Sequence, residues 1–321
     1  MYGAKSGLPI YFRKLAGNIP DVKTVKTLLG ILDGLGYKNA KLNMDRGFYK
    51  EDNIHELYKE GFDFLVATKT SLIYVRDYID LISSDLNKFQ YYDVNSNLYG
   101  YTITTNWDYS EKCQQSGEKI KSKKDIYVHI CYNPEKDLES ERKLNKKIAE
   151  LYKELQTGKP TKKHEKQYAT YFNVKKVSGK TVFESYKDDI INKTKRYYGY
   201  FVFLSNEVSG TWQALTLYRN RDIVEKAFNN FKDRLNMNRL LVSSEKSLEG
   251  KLFVGHIALI ILSYINSKMV ANEMFKDYTM REMLDALERI DCYEDEDGKK
   301  VIGEVLDKQK LIYEKLEINS L

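Results

Sequence analysis

The chain has 321 residues, 42% of them hydrophobic, enough for one large core or two ordinary ones. Fifty-two Lys and Arg against 46 Asp and Glu leave a formal charge of +6 and a sequence pI near 8.8, compatible with a polyanionic partner but too modest to require one. Three widely spaced cysteines, Cys113, Cys131 and Cys292, form no CxxC pair and have no His at zinc-ligand spacing, which excludes a disulfide framework and a zinc site and reads as reduced cytosolic thiols.

The first seventy residues alternate strand and helix patterns, as a parallel α/β sheet requires. Leu8 to Leu15 (LPIYFRKL) reads as a strand, with Gly17-Asn18 as its turn. Asp21 reads as the N-cap of a helix through Val25, Leu28, Leu29, Leu32 and Leu35 that Gly36 closes. Ala40 to Met44 is a short strand ending on Asp45. A helix from near Asp52 to Gly61 and a strand from Phe62 to Lys69 complete a βαβ unit, with Asp45 at the carboxyl end of its first strand.

From about Lys88 to Arg196 the chain turns Tyr-rich, with short alternating stretches that predict a strand-rich insertion and one polar helix from Asp137 to Leu155. Tyr197 to Glu207 returns to a buried strand pattern, and a long helix follows. The apolar run from Leu252 to Ile265 is shorter than the roughly 20 residues that span a bilayer, so it predicts a buried helix. The opening residues lack the pattern of a signal peptide, which points to a cytoplasmic protein away from membranes. The tail from Thr279 is charged and helical, with an acidic turn at Asp295 to Gly298.

In LYRNRDIVEKAFNNFKDRL the residues Tyr218, Arg221, Glu225 and Lys232 fall within an arc of about 60° on one helix. Val224, Phe228, Phe231 and Leu235 form an apolar stripe beside them, so the helix can dock while presenting the polar arc. A carboxylate between two cations and a phenol suits a divalent metal on Glu225 and phosphates on Tyr218, Arg221 and Lys232. A solvated face with weak ion pairs is the commoner use of such residues, and the upstream Asp45 at a strand end is what weighs against it here.

The Y-x2-R-x3-E-x6-K spacing, MDRGFYKEDNI around Asp45 and GLPIYFRKLAGNIPD near the start resemble the DDE transposases of bacterial insertion sequences, in the group bearing this YREK pattern. GHIALIILSYI and the closing DKQKLIYEKLEI resemble the same group, so the likeness covers nearly the whole chain. It implies an α/β, RNase H-like mixed sheet flanked by helices, with the strand-rich insertion between the second and third acidic residues. Residues 1–87 would be the first part of the catalytic core with its opening strand missing, 88–196 the insertion, 197–270 the second part of the core, and 271–321 a helical tail.

By the same resemblance Asp45 matches the second catalytic Asp and Glu225 the catalytic Glu, both metal ligands, while Tyr218, Arg221 and Lys232 would contact transposon-end DNA. The cofactor implied is Mg2+, with Mn2+ as a substitute. The partners implied are transposon-end and target DNA and a second copy of the chain in a synaptic complex, at a cytoplasmic, nucleoid-associated location.

The family's first carboxylate lies on an opening strand upstream of the segment that begins here at Gly7. No Asp precedes Asp21, whose expected job is helix capping. The expectation is therefore a catalytic core impaired on its own, with a non-catalytic remnant that binds DNA or intact transposase and inhibits it as the rival. A nuclease acting on other substrates is disfavoured by the Tyr218, Arg221 and Lys232 set. His256 is expected in a core, and His55, His129 and His164 show no metal-ligand spacing. Trp107 and the insertion tyrosines fit core packing better than base stacking, and the clusters Lys119 to Lys124 and Lys159 to Lys166 fit DNA-backbone tracking and solvated loops equally.

Overall fold

The structure is a computed structural model describing residues 1–3, 6–14, 23–37, 40–112, 119–177, 180–220, 242–294, 298 and 300–318. It divides into a unit of Ala16–Arg219 and a unit of Met1–Leu15 with Asn220–Leu321.

In the unit of Ala16–Arg219, helix α1 (Val25–Gly34) buries Val25, Leu29 and Leu32, one helical face as the spacing predicts. Gly36 ends it at φ +82°, a left-handed conformation that costs glycine nothing. Asp21 lies outside the described residues. Strand β1 (Lys41–Met44), helix α2 (Glu51–Lys59) and strand β2 (Asp63–Thr68) form the expected βαβ unit, with β1 and β2 parallel. Phe64 to Thr68 are all buried, so β2 is covered on both faces, and helix α3 (Ile73–Ile82) follows it.

The Tyr-rich stretch opens with the short strand β3 (Tyr92–Asp93) and the long antiparallel hairpin of β4 (Leu98–Lys112) and β5 (Lys119–Tyr132). These strands join the main sheet, because β5 pairs with β8 (Tyr200–Ser205), which in turn pairs with β2. The order is β1-β2-β8-β5-β4-β3, with only β1 and β2 parallel. Period-two alternation sends Leu65, Ala67, Cys131 and Phe203 to one face, beneath helix α7 (Thr211–Arg219). Phe64 points to the other face and meets Tyr58 of α2. Helices on both faces of a mixed six-stranded sheet make the fold RNase H-like, as expected.

Between β5 and β8 lies a second small core. Helix α4 (Pro134–Gln156) lines up Leu144, Ile148, Leu151 and Leu155 at helical spacing. They pack on Tyr168 of α5 (Glu165–Tyr171), Phe172 of β6 (Phe172–Val177) and Ile191 of α6 (Asp188–Lys195), and β6 is in a hairpin with β7 (Lys180–Tyr186). Helix α4 starts three residues before the predicted Asp137 because Asn133 accepts a hydrogen bond from the Lys136 N–H (3.0 Å) and Pro134 takes the first turn. Glu154 closes the turn after α4 by accepting from the Tyr168 hydroxyl and His164 Nδ1, and these two donors hold its carboxyl below the usual range.

In the other unit, Leu8 to Lys14 is not the predicted strand: among the described residues it makes a single bridge, Tyr2 to Pro9. Pro9 has no N–H for a ladder, and Ile10 and Phe12 are exposed, so the face they share is not packed to fix a register. The apolar run, predicted as a buried helix, belongs to a longer one, α8 (Glu245–Ala271), in which Gly255, Leu259 and Met269 are the buried residues among those described. Leu262 and Ile265 pack with Met269 on Met274, Met280, Met283, Ile312 and Leu316, whereas Phe253, Val254 and Ile261 stay exposed. By length and composition α8 is apolar enough to cross a membrane. His256, placed in a core by the sequence, is partly buried against the Phe12 ring at 4.8 Å. Helix α9 (Met280–Glu288) starts with a Thr279–Glu282 capping box, and β9 (Cys292–Glu294) and β10 (Lys300–Ile302) pair on either side of the predicted acidic turn before α10 (Asp307–Lys315).

Candidate active site

Strand β1 is anchored by the buried Met44, and the next residue, Asp45, leaves the sheet at its carboxyl end. Its Oδ1 turns back to accept the Arg46 N–H at 2.7 Å, capping a single 3-10 turn over Arg46–Phe48. Asn53 holds that turn from α2 by donating to the Phe48 carbonyl at 2.8 Å. Just beyond it the Tyr49 and Tyr74 hydroxyls meet at 2.7 Å, and burial raises the pKa of both phenols.

Helix α7 lies across the same end of the sheet. Ala214 and Leu215 are buried on Leu65, Ala67, Leu98, Cys131 and Phe203, with Trp212, Leu217 and Tyr218 at the edge of that core. The Tyr218 ring rests 4.4 Å from that of Phe203, and its hydroxyl donates to Asp45 Oδ1 at 3.0 Å. Asn43 Nδ2 donates to the Leu217 carbonyl, a second tie between β1 and the last turn of α7. Two predicted site residues, 173 positions apart in the chain, are thus in direct contact, and two donors on Oδ1 set the orientation of the Asp45 carboxylate. Arg221, Glu225 and Lys232 lie outside the described residues. Among the described residues, no group of three or more His, Cys, Asp or Glu side chains is placed to hold a metal.

The connection from β8 into α7 is pinned at each step. Ser205 Oγ accepts the Val208 N–H at 2.9 Å, Asn206 Oδ1 accepts the Phe64 N–H at 2.8 Å, and Glu207 pairs with Lys41 of β1. Beneath it sits His129, fully buried, which lack of metal-ligand spacing had left without a role. Its Nε2 lies 3.0 Å from the Val208 carbonyl and its Nδ1 2.8 Å from the Thr102 hydroxyl. The alternation of DIYVHI marks His129 as a strand residue, but nothing local in the sequence names partners 27 and 79 residues away. Nearby, burial pushes the Cys131 thiol up to about 12, so it behaves as an apolar core group.

The sequence profile of the transposase DDE domain family matches residues 1–261, a span that holds β1, Asp45, α7 and Glu225. The chain belongs to this family. No curated protein matches the chain. DDE transposases generally use divalent metal ions, and the oriented Asp45 carboxylate is a hard oxygen donor of the kind such ions take.

Burial lowers the pKa of His129 from 6.5 to about 4. A depressed histidine contributes stability that is fully present above its unfolded value and is lost as pH falls towards its folded value. The protein is therefore expected to lose about 3 kcal/mol through this one group between pH 6.5 and pH 4. Melting temperatures across that range should fall more steeply for the native protein than for His129→Gln, and parallel curves would count against this assignment.

Proposed function

We propose that the chain is the catalytic core of a DNA transposase of the YREK group, which cleaves and joins phosphodiesters at insertion-sequence ends. The observation that carries this reading is the hydrogen bond from Tyr218, the first residue of the motif, to Asp45 at the strand end. In this reading Asp45 and Glu225 hold Mg2+, or Mn2+ in its place. A divalent ion bound there supplies Lewis-acid charge stabilisation at the phosphodiester. Tyr218 orients the Asp45 carboxylate and lies beside the phosphate path, while Arg221 and Lys232 contact end-DNA phosphates.

A polyanionic partner is also supported by charge distribution. Residues 159–196 carry eleven Lys and Arg against four Asp and Glu, a larger excess than that of the whole chain. Lys162, Lys163, Lys166, Lys175 and Lys176 in this stretch are exposed and form no salt bridge among the described residues. Synapsis as a homodimer on transposon ends and target, at a cytoplasmic and nucleoid-associated location, belongs to the same reading.

A second reading is favoured by β1 being an edge strand, paired only with β2 among the described residues. The family fold sets its first carboxylate on a strand beside the one that ends in Asp45. Where such a neighbouring strand is not in place the ions would be loosely held, and slack at a reacting centre costs rate steeply. We therefore propose that this chain cleaves poorly by itself and can instead occupy DNA, or intact transposase, as an inhibitor.

Titrations on insertion-sequence-end duplex at several salt concentrations test both readings. Arg221→Ala and Lys232→Ala are each expected to reduce the slope of log affinity against log salt by about one. With Mg2+ the bound duplex should be nicked only slowly. Failure to bind DNA would overturn the transposase reading, and rapid cleavage by this chain alone would overturn its impairment.

A further inference from the structure

We propose that His129, Thr102, Thr211 and Gly100 form a seat for the first turn of α7, and that this seat sets the contact between Tyr218 and Asp45. His129 and Thr102 are then positioning residues, acting at the end of the helix opposite to the one that meets the site. The consequence for catalysis rests on Asp45 being a metal ligand; the mechanical claim does not.

Strand β4 presents Leu98, Gly100 and Thr102 in alternation to the face beneath α7, and each does something different. Leu98 is buried in the core under the helix. At Gly100 an added Cβ would lie 2.7 Å from both Thr211 Cγ2 and Trp212 Cη2, so the helix start comes as close to the strand as a missing side chain allows. Thr102 is paired directly with His129 across the ladder, and its hydroxyl stands 2.8 Å from His129 Nδ1 and 2.6 Å from the Thr211 hydroxyl.

The chemistry of the groups fixes the direction of every proton in this chain. A carbonyl oxygen only accepts, so His129 Nε2 carries the hydrogen and donates it to Val208. In the neutral ring Nδ1 must then accept, and among the described residues the Thr102 hydroxyl is the group in place to donate. With its proton committed, the Thr102 oxygen accepts from Thr211, the first residue of α7. One buried imidazole thereby ties strand β5 to the loop entering α7 and, through Thr102, to the helix itself.

The lever from seat to site is short and stiff. Seven residues of α-helix separate Thr211 from Tyr218, a rise of about 10 Å, so a tilt of roughly 10° at the seat would carry the tyrosine by nearly 2 Å. A hydrogen bond of 3.0 Å does not survive that displacement. Asn43 and Phe203 brace the far end of α7, but they hold it against the sheet only where the seat delivers it.

The test uses the full chain with 13C-labelled tyrosine, in which the Tyr218 ring resonance, shifted by the neighbouring Phe203 ring, is assigned by its loss in Tyr218→Phe. Thr102→Val and Gly100→Ala are expected to move that resonance and to speed amide exchange in α7 at least tenfold, and Thr102→Ser to restore both. Ile148→Val, a comparable loss in the separate α4–α6 core, should leave both unchanged, which separates positioning from general destabilisation. Should Thr102→Val not fold, Thr211→Val removes the last hydroxyl of the same chain and is read in the same way. A Tyr218 resonance unmoved in the hydroxyl variant and in Gly100→Ala would overturn the proposal. Undiminished Mn2+ affinity in Asp45→Asn would instead sink the metal reading and leave the resonance result standing, so the two failures are distinguishable.

Discussion

Asp45→Asn is expected to weaken Mn2+ binding at least about tenfold, or roughly 1.4 kcal/mol, while shifting the melting temperature by no more than about 2 °C. Asparagine keeps an oxygen where Oδ1 now accepts from the Arg46 N–H and the Tyr218 hydroxyl, so the turn cap and the tie to α7 survive. What is lost is the negative charge and one anionic oxygen, the features a hard divalent ion needs. Calorimetric titration with Mn2+ beside a thermal scan measures both quantities. Equal affinity would remove Asp45 from the metal site, and a large fall in melting temperature would show that its charge serves the fold.

Phe203→Ala is expected to cost about 3–5 kcal/mol and to lower the melting temperature by roughly 10 °C. The ring is 1% exposed, lies 5.6 Å from that of Phe201 and backs Tyr218 at 4.4 Å. Removing it opens a cavity beneath the last turn of α7, at the point where the helix meets β1. Phe203→Leu keeps most of the apolar volume and should lose much less. Differential scanning calorimetry of the two variants decides the matter. A drop for Phe203→Ala of only about 3 °C would mean that this core does not hold α7 in place.

The parts of this architecture that the sequence reveals are those governed by local rules. The strand ending on Asp45, the helix from Glu51 and the buried strand through Phe64 to Thr68 announce themselves by period, Gly61 and continuous apolar character. Asp45 and Tyr218 are both singled out by the sequence as candidate site residues, one from its place at a strand end and one from the motif. Their contact was not, because nothing in the spacing says that a tyrosine from the motif reaches a carboxylate 173 residues earlier. Long-range pairing hid more. The Tyr-rich alternation shows that β4 and β5 are strands, yet it takes the β5–β8 register to show that they extend the main sheet. His129 illustrates the same limit, since its burial is readable from alternation while its role depends on Thr102 and Val208. Leu8 to Lys14 shows the converse: alternating apolar residues do not make a ladder where Pro9 withholds an N–H and Ile10 and Phe12 stay exposed.

We propose that Asp45 and Glu225 are both ligands to a divalent cation in this member of the transposase DDE family. Replacing that cation with Fe2+ and adding ascorbate and peroxide generates hydroxyl radicals that cut the polypeptide beside the metal, and the cuts can be mapped by mass spectrometry without any need for catalysis. The prediction is cleavage near residue 45 and near residue 225, suppressed by Mg2+ and lost in Asp45→Asn. Cuts elsewhere, or cuts at these positions that Mg2+ does not suppress, would contradict it.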